Sequence, residues 1–226
     1  MGTSGVHVRD HRSILARSEK RVLLWIAVRL PRAVRSDHLS ALGFVSMLMV
    51  AASFAAFRIS SLSAIGVVVF LAANWFGDSL DGTLARVRGE ERPKYGYYLD
   101  HVLDLAGTAA LMTGVACSGL MQPLVAAAVL GAYLLVAAET FLATHALRVF
   151  RMSQFGLGPT ELRLLLAAGA LRAMTAPDVT WRAVGTFRLF DVGGTIAIVV
   201  LTAIFLISGV QNAHLLYRAE PLPRRV

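Results

Sequence analysis

The chain has 226 residues, of which 56% are apolar and 16% charged, with a mean hydropathy of +0.63. An average soluble protein carries roughly 25% charged residues, so this composition excludes a water-bathed globule and points to one polytopic membrane domain. The 22 basic against 14 acidic side chains leave a net charge of +8, which in a membrane chain belongs to cytoplasmic loops and anionic headgroups rather than nucleic acid.

The first twenty residues contain no apolar core, so no secretory signal is expected. Val22 to Leu30 is too short to cross a bilayer, which needs about 20 apolar residues. Leu23, Ile26, Ala27 and Leu30 share one helical face, Arg21, Arg29 and Arg32 another, and Trp25 suits the headgroup zone. This pattern predicts an amphipathic helix lying on an anionic leaflet. Residues 1–35 therefore form a basic juxtamembrane segment, 36–215 an all-α membrane domain and 216–226 a cytoplasmic tail.

Six spans are expected in that domain: Leu39–Phe57, Leu62–Arg86, Tyr95–Leu120, Pro123–Leu147, Pro159–Ala176 and Val192–Val210. The first and last are free of charge. The fifth is the weakest, because Arg163 and Arg172 leave it a short clean core. Cys117 lies in an apolar run with no second cysteine to pair with. With six spans, 18 of the 22 basic residues fall on the side of the N-terminus, and only Arg58, Arg172, Arg182 and Arg188 fall on the other. The positive-inside rule then puts both termini in the cytoplasm.

Carboxylates interrupt the second and third spans. Asp78 and Asp81 are three residues apart and Asp100 and Asp104 four apart, so each pair shares a helix face. Counting about 1.5 Å per residue from the cytoplasmic ends places all four at one depth, in the cytoplasmic third of the membrane. An acid so deep costs about 2.5–3.5 kcal/mol on insertion scales, and intramembrane acids mark sites. Helix capping, or pairing with Arg86, Arg88 and Lys94, is the competing explanation. No basic residue is expected among the four acids, and His101 points off the Asp100/Asp104 face. An all-oxygen set suits Mg²⁺ or Mn²⁺ and argues against zinc. Four carboxylates could hold two such ions, a layout suited to phosphoryl chemistry.

The run Asp78-x2-Asp81-Gly82-x2-Ala85-Arg86-x9-Gly96-x3-Asp100-x3-Asp104 resembles the signature of the CDP-alcohol phosphotransferases, with all eight fixed positions present. The resemblance implies transfer of a substituted phosphate from a CDP-linked donor, such as CDP-diacylglycerol, to an alcohol, with release of CMP. It implies six spans behind a juxtamembrane helix, and a possible homodimer. It also implies that Asp78, Asp81 and Asp100 hold one divalent ion and Asp78, Asp100 and Asp104 a second, with Asp104 as general base. Gly82, Ala85, Arg86 and Gly96 would meet the donor, the two glycines serving otherwise as close-packing positions. An element before the first span reads Ser36-Asp37-His38-Leu39-Ser40; it lacks the proline of many members but keeps Asp37 and Ser40 as nucleotide contacts. The stretch Glu90-Glu91-Arg92-Pro93-Lys94 lacks a hydroxyl that members often carry there.

Arg148, Arg151 and Arg163 flank the fourth-to-fifth connection and could bind a phosphorylated acceptor, or be ordinary cytoplasmic charge. Asp100-His101 and Pro159-Thr160-Glu161 resemble the choline and ethanolamine phosphotransferases instead. On that reading Glu139 and Glu161 would favour a cationic group, or pair with Arg148 or Arg163. His145 reads as a packed or interfacial side chain. An intramembrane prenyltransferase and a cation transporter are the more distant alternatives.

Overall fold

A computed structural model describes residues 16–147, 159–181 and 185–220. The described chain forms α1 (Ala16–Arg29), α2 (Ser36–Ala55), α3 (Ser63–Arg88), α4 (Pro93–Ser118), α5 (Pro123–Leu147), α6 (Pro159–Thr175) and α7 (Leu189–Ala219). A single turn of 3₁₀ helix, Ala56–Arg58, continues α2. Five helices, α2 to α5 and α7, are long and apolar enough to cross a membrane. Among the described residues five spans rather than six meet that standard, because α6 has only 17 residues and carries Arg163 and Arg172. A short antiparallel hairpin, β1 (Asp178–Trp181) with β2 (Gly185–Arg188), joins α6 to α7, where no strand was expected. Its strands are four residues each, below the length at which alternation stands out from noise.

The helix directions follow from their contacts. Gly43 of α2 lies against Gly77 of α3, and Gly66 of α3 against Ser53, so α2 and α3 are antiparallel. Gly107 and Gly114 of α4 meet Met47 and Ala51 in rising order, so α4 runs parallel to α2. The Gln122 amide at the head of α5 donates to Asp191 of α7 (2.7 Å), and further along Asn212 Nδ2 donates to Glu139 Oε1 (2.7 Å). Thus α5 and α7 run parallel. Between them α6 starts beside Asp78 of α3 and ends with Gly169 against Phe190, at the head of α7.

Small residues set the closest approaches. A methyl group on Gly77 would lie 2.5 Å from both the Gly43 nitrogen and the Leu39 carbonyl, and one on Gly114 would overlap the Ala51 backbone. In lipid, where burial of apolar surface no longer drives helices together, such backbone contact is a main source of cohesion. Two apolar clusters result. Val50, Phe54, Val67, Leu71, Leu111 and Val115 fill one end of the α2–α4 bundle. Leu23 and Ala27 of α1 join Leu39, Leu80 and Leu84 at the other.

That second cluster gives α1 a protein partner as well. The Leu23/Ala27 face is spent on α2 and α3, while Val22, Trp25 and Val28 remain exposed. One apolar side of α1 thus packs on protein while another stays exposed. Arg88 fastens the linker, donating to the carbonyls of Leu30 (3.1 Å) and Pro31 (2.9 Å) and also to Val34. It therefore does not serve the acids.

Candidate active site

Between the two clusters, α2, α3 and α4 enclose a cavity lined by Ser40, Asn74, Asp78, Asp81, Asp100 and Asp104, with Gly43 and Gly107 among its walls. On α3, Asn74, Asp78 and Asp81 follow one another at four- and three-residue steps, which stacks them on one face. Beyond them, Gly89 closes α3 in a left-handed conformation (φ 66°), and its neighbour Glu90 donates to the Ala85 carbonyl (2.9 Å). Pro93 then opens α4 at a position where its missing N–H is not needed. This tight reversal brings Asp100 and Asp104 back to the level of Asp78.

Asp78, Asp100 and Asp104 each present an oxygen within 4.8 Å of the others. Three hard oxygen donors at that spacing fit a divalent cation of the Mg²⁺ class. Asp81 lines the same cavity but stands apart from the trio. Its carboxylate accepts from Ser40 Oγ (2.5 Å) and from the Gly82 amide. Ser40, expected to touch a nucleotide, thus orients Asp81 as well.

One expectation fails. A basic residue does sit among the acids: Arg163, reaching from α6, is ion-paired with Asp78. Its Nε donates to Asn74 Oδ1 (2.7 Å), while Asn74 Nδ2 donates to the Gly43 carbonyl (2.9 Å). Arg163 is therefore not simple cytoplasmic charge, and Glu139 does not pair with it, accepting instead from Asn212. The expense of an arginine in a short apolar helix was the available signal. Asn74 was overlooked, although it lies one turn before Asp78. Glu19 was overlooked too. Its Oε1 accepts from Trp75 Nε1 (2.7 Å), Thr160 Oγ1 (2.9 Å) and Ser79 Oγ (3.3 Å), tying α1 to α3 and α6.

The other candidates take varied places. Asp37 is at the exposed rim, ion-paired with Arg92, and this contact raises the Arg92 pKa above its ordinary value. Gly82 lies beside the Arg86 guanidinium, which donates to Thr83 Oγ1 (3.2 Å); Ala85 is part-buried on the same turns. Gly96 has nothing within 4 Å of where a side chain would begin, so close helix packing does not explain it. Glu161 stands in the first turn of α6 and is not part of the cavity lining. His101 does not turn away from the acids as expected: its Nδ1 lies 3.7 Å from Asp100 Oδ2 as well as 2.7 Å from the Tyr97 carbonyl, and its ring packs against Tyr97 and Phe141. Arg148 and Arg151 lie outside the described residues.

The family model for CDP-alcohol phosphatidyltransferases matches residues 38–207. Among solved structures, the chain is similar to phosphatidylinositol phosphate synthase of Mycobacterium tuberculosis with CDP-DAG bound. The two share 20% identity and a TM-score of 0.58, over 87% of this chain and 94% of that one, a likeness of fold. No curated protein matches the chain significantly.

Proposed function

Because the chain belongs to the CDP-alcohol phosphatidyltransferase family, a family of membrane transferases of phospholipid synthesis, we propose that it moves the phosphatidyl group of CDP-diacylglycerol to an acceptor alcohol and releases CMP. The observation that carries this reading is the convergence of Asp78, Asp100 and Asp104 on one cavity, with Asp81 a turn away. The trio would hold one divalent ion, and Asp81, which lines the same cavity, would join Asp78 and Asp100 in holding the other. Bound Mg²⁺ or Mn²⁺ supplies charge neutralisation for the donor diphosphate and the departing CMP.

The chain's own groups do the rest. Asp104 takes the proton of the acceptor hydroxyl as its oxygen bonds to the lipid-bearing phosphorus, and the bond from that phosphorus to the CMP oxygen breaks. Ser40 holds Asp81 in place. Arg86 meets the donor phosphates, with Gly82, Ala85 and Gly96 leaving room for the nucleotide; Asp37 reaches it by giving up Arg92. A phosphorylated acceptor would be met by Arg148, Arg151 and Arg163, and Glu161 belongs to the acceptor side.

The parallel course of α5 and α7 supports six crossings, because α6 must carry the chain back between them. The catalytic domain then spans 36–215, with both termini and the acid cluster toward the cytoplasmic face of the cell membrane. A homodimer belongs to the same reading. Tags at either terminus should be protected in intact cells and exposed in inverted vesicles; outside labelling of the C-terminus would remove α6 as a crossing.

The decisive assay offers purified protein CDP-diacylglycerol with a panel of alcohols, phosphorylated and not, and identifies the lipid by mass. CMP release should stop with a strong chelator and return with Mg²⁺ or Mn²⁺. Turnover only with a CDP-aminoalcohol and diacylglycerol would transfer the protein to the aminoalcohol branch. No CMP from any donor, or full turnover without metal, would overturn the proposal.

A further inference from the structure

The Asp78 carboxylate has two claimants. In the proposed reaction it would belong to the ligand sets of both divalent ions. Its Oδ2 is held by Arg163. That guanidinium is no passing surface contact: Arg163 and Asp78 side chains retain only 13% and 26% exposure. Asn74 fixes the guanidinium edge-on through Nε, and is itself fixed because its amide is anchored to the Gly43 backbone. Asn74 is buried, so neither of its bonds is readily exchanged for water.

A second fastening lies about 100° round the same turns of α3. Thr160, three residues before Arg163, donates to Glu19, which also takes the bonds from Trp75 and Ser79. These two neighbours directly follow Asn74 and Asp78 in the chain. The first turn of α6 is thus held against α3 at two points, and the reach of Arg163 to Asp78 is set by both.

We propose that Arg163 is a built-in counter-cation that competes with the divalent metals for Asp78, so that the metal centre fills as the guanidinium yields this carboxylate. Asn74, Thr160 and Glu19 keep it within reach as positioning residues. The inference rests on the metal-dependent reading above, and adds a direction to it: Arg163 opposes metal binding. A group that merely props Asp78 in place would have the opposite effect when removed.

The test is a Mn²⁺ titration of the purified full chain in detergent without nucleotide, following free Mn²⁺ by electron paramagnetic resonance. Arg163→Gln should bind Mn²⁺ roughly tenfold more tightly than wild type, within the range of ordinary site-to-site coupling. Arg163→Lys keeps the charge but loses the planar fork that serves Asn74 and Asp78 together, and should fall between. Unchanged or weaker binding in a folded Arg163→Gln protein overturns the proposal. If that variant fails to fold, Thr160→Val, which only unbraces α6, should tighten binding two- to threefold on the same coupling argument; no change there overturns it equally. Wild type that binds no Mn²⁺ at millimolar concentration would bring down the functional reading too, whereas wild type that binds beside an unmoved variant would sink this inference alone.

Discussion

The helices α2, α3 and α4 meet backbone to backbone, whereas α5 and α7 lean on the bundle and on each other through side chains. A third of the membrane-length window of α2 and of α3 is buried, against 17% for α5 and 11% for α7. Lipid tails solvate apolar side chains as well as protein does, so tight packing is confined to places where small residues or polar groups make it favourable. Every carboxylate of the candidate site lies in the tight half. Fixed distances between charged oxygens require rigid walls, and the glycine contacts of α2 with α3 and α4 provide them.

The contrast is most easily broken with glycine. Gly77→Leu or Gly114→Leu should cost roughly 3 kcal/mol or more by overpacking and abolish the folded peak in detergent gel filtration. Gly131→Leu on α5 and Gly209→Leu on α7, which have nothing within 4 Å, should elute as wild type. Equal damage in both halves would remove the distinction.

Within the tight half, Asp104→Asn separates chemistry from architecture. The amide matches the carboxylate in shape, so the thermal midpoint should hold while CMP release falls by the ~10²–10⁴-fold attributed to a positioned base. A variant that retains a tenth of wild-type turnover would disqualify Asp104 as the base. Gly96→Ala should show a smaller effect of a different kind. The fold is expected to stand, even to gain up to about 1 kcal/mol in helix propensity, while the Kd for CDP-diacylglycerol rises. Unchanged donor binding would show that the open space at Gly96 is not used by the nucleotide. Smallest of all should be Glu139→Leu between α5 and α7. Hydrogen bonds between membrane helices average about 0.6 kcal/mol, so its midpoint should move by only a few degrees. A collapse there would mean that the loose half is held by polar contacts after all.

The spans α2 to α5 and α7 were legible because each is a long apolar run, and the fourth was bounded to the residue, Pro123–Leu147. The acids were legible because carboxylates in such runs are costly and fall at helical spacing. What the sequence hid is contact across long separations. Arg163 and Asp78 are 85 positions apart and Glu19 and Thr160 141 apart, and no local period links them. The glycine approach was hidden for a related reason. Gly43, Gly77 and Gly114 look no different in sequence from Gly131 or Gly209, and only the partner helix tells them apart.

The turn at Gly89 also bears on how the gene can change length. From Asp78 to the end of α3 and from the start of α4 to Asp104, two stretches of nearly equal length act as the arms of a caliper. One codon inserted within either arm would rotate a carboxylate by about 100° and shift it about 1.5 Å, taking it out of the cluster. The same codon placed among residues 89–92 leaves both arms intact, and even doubling that loop costs only about 0.6 kcal/mol in closure entropy. Insertions and deletions should therefore accumulate at this hinge and be purged from the arms, which makes the turn the place to splice a reporter epitope beside the site without disturbing it.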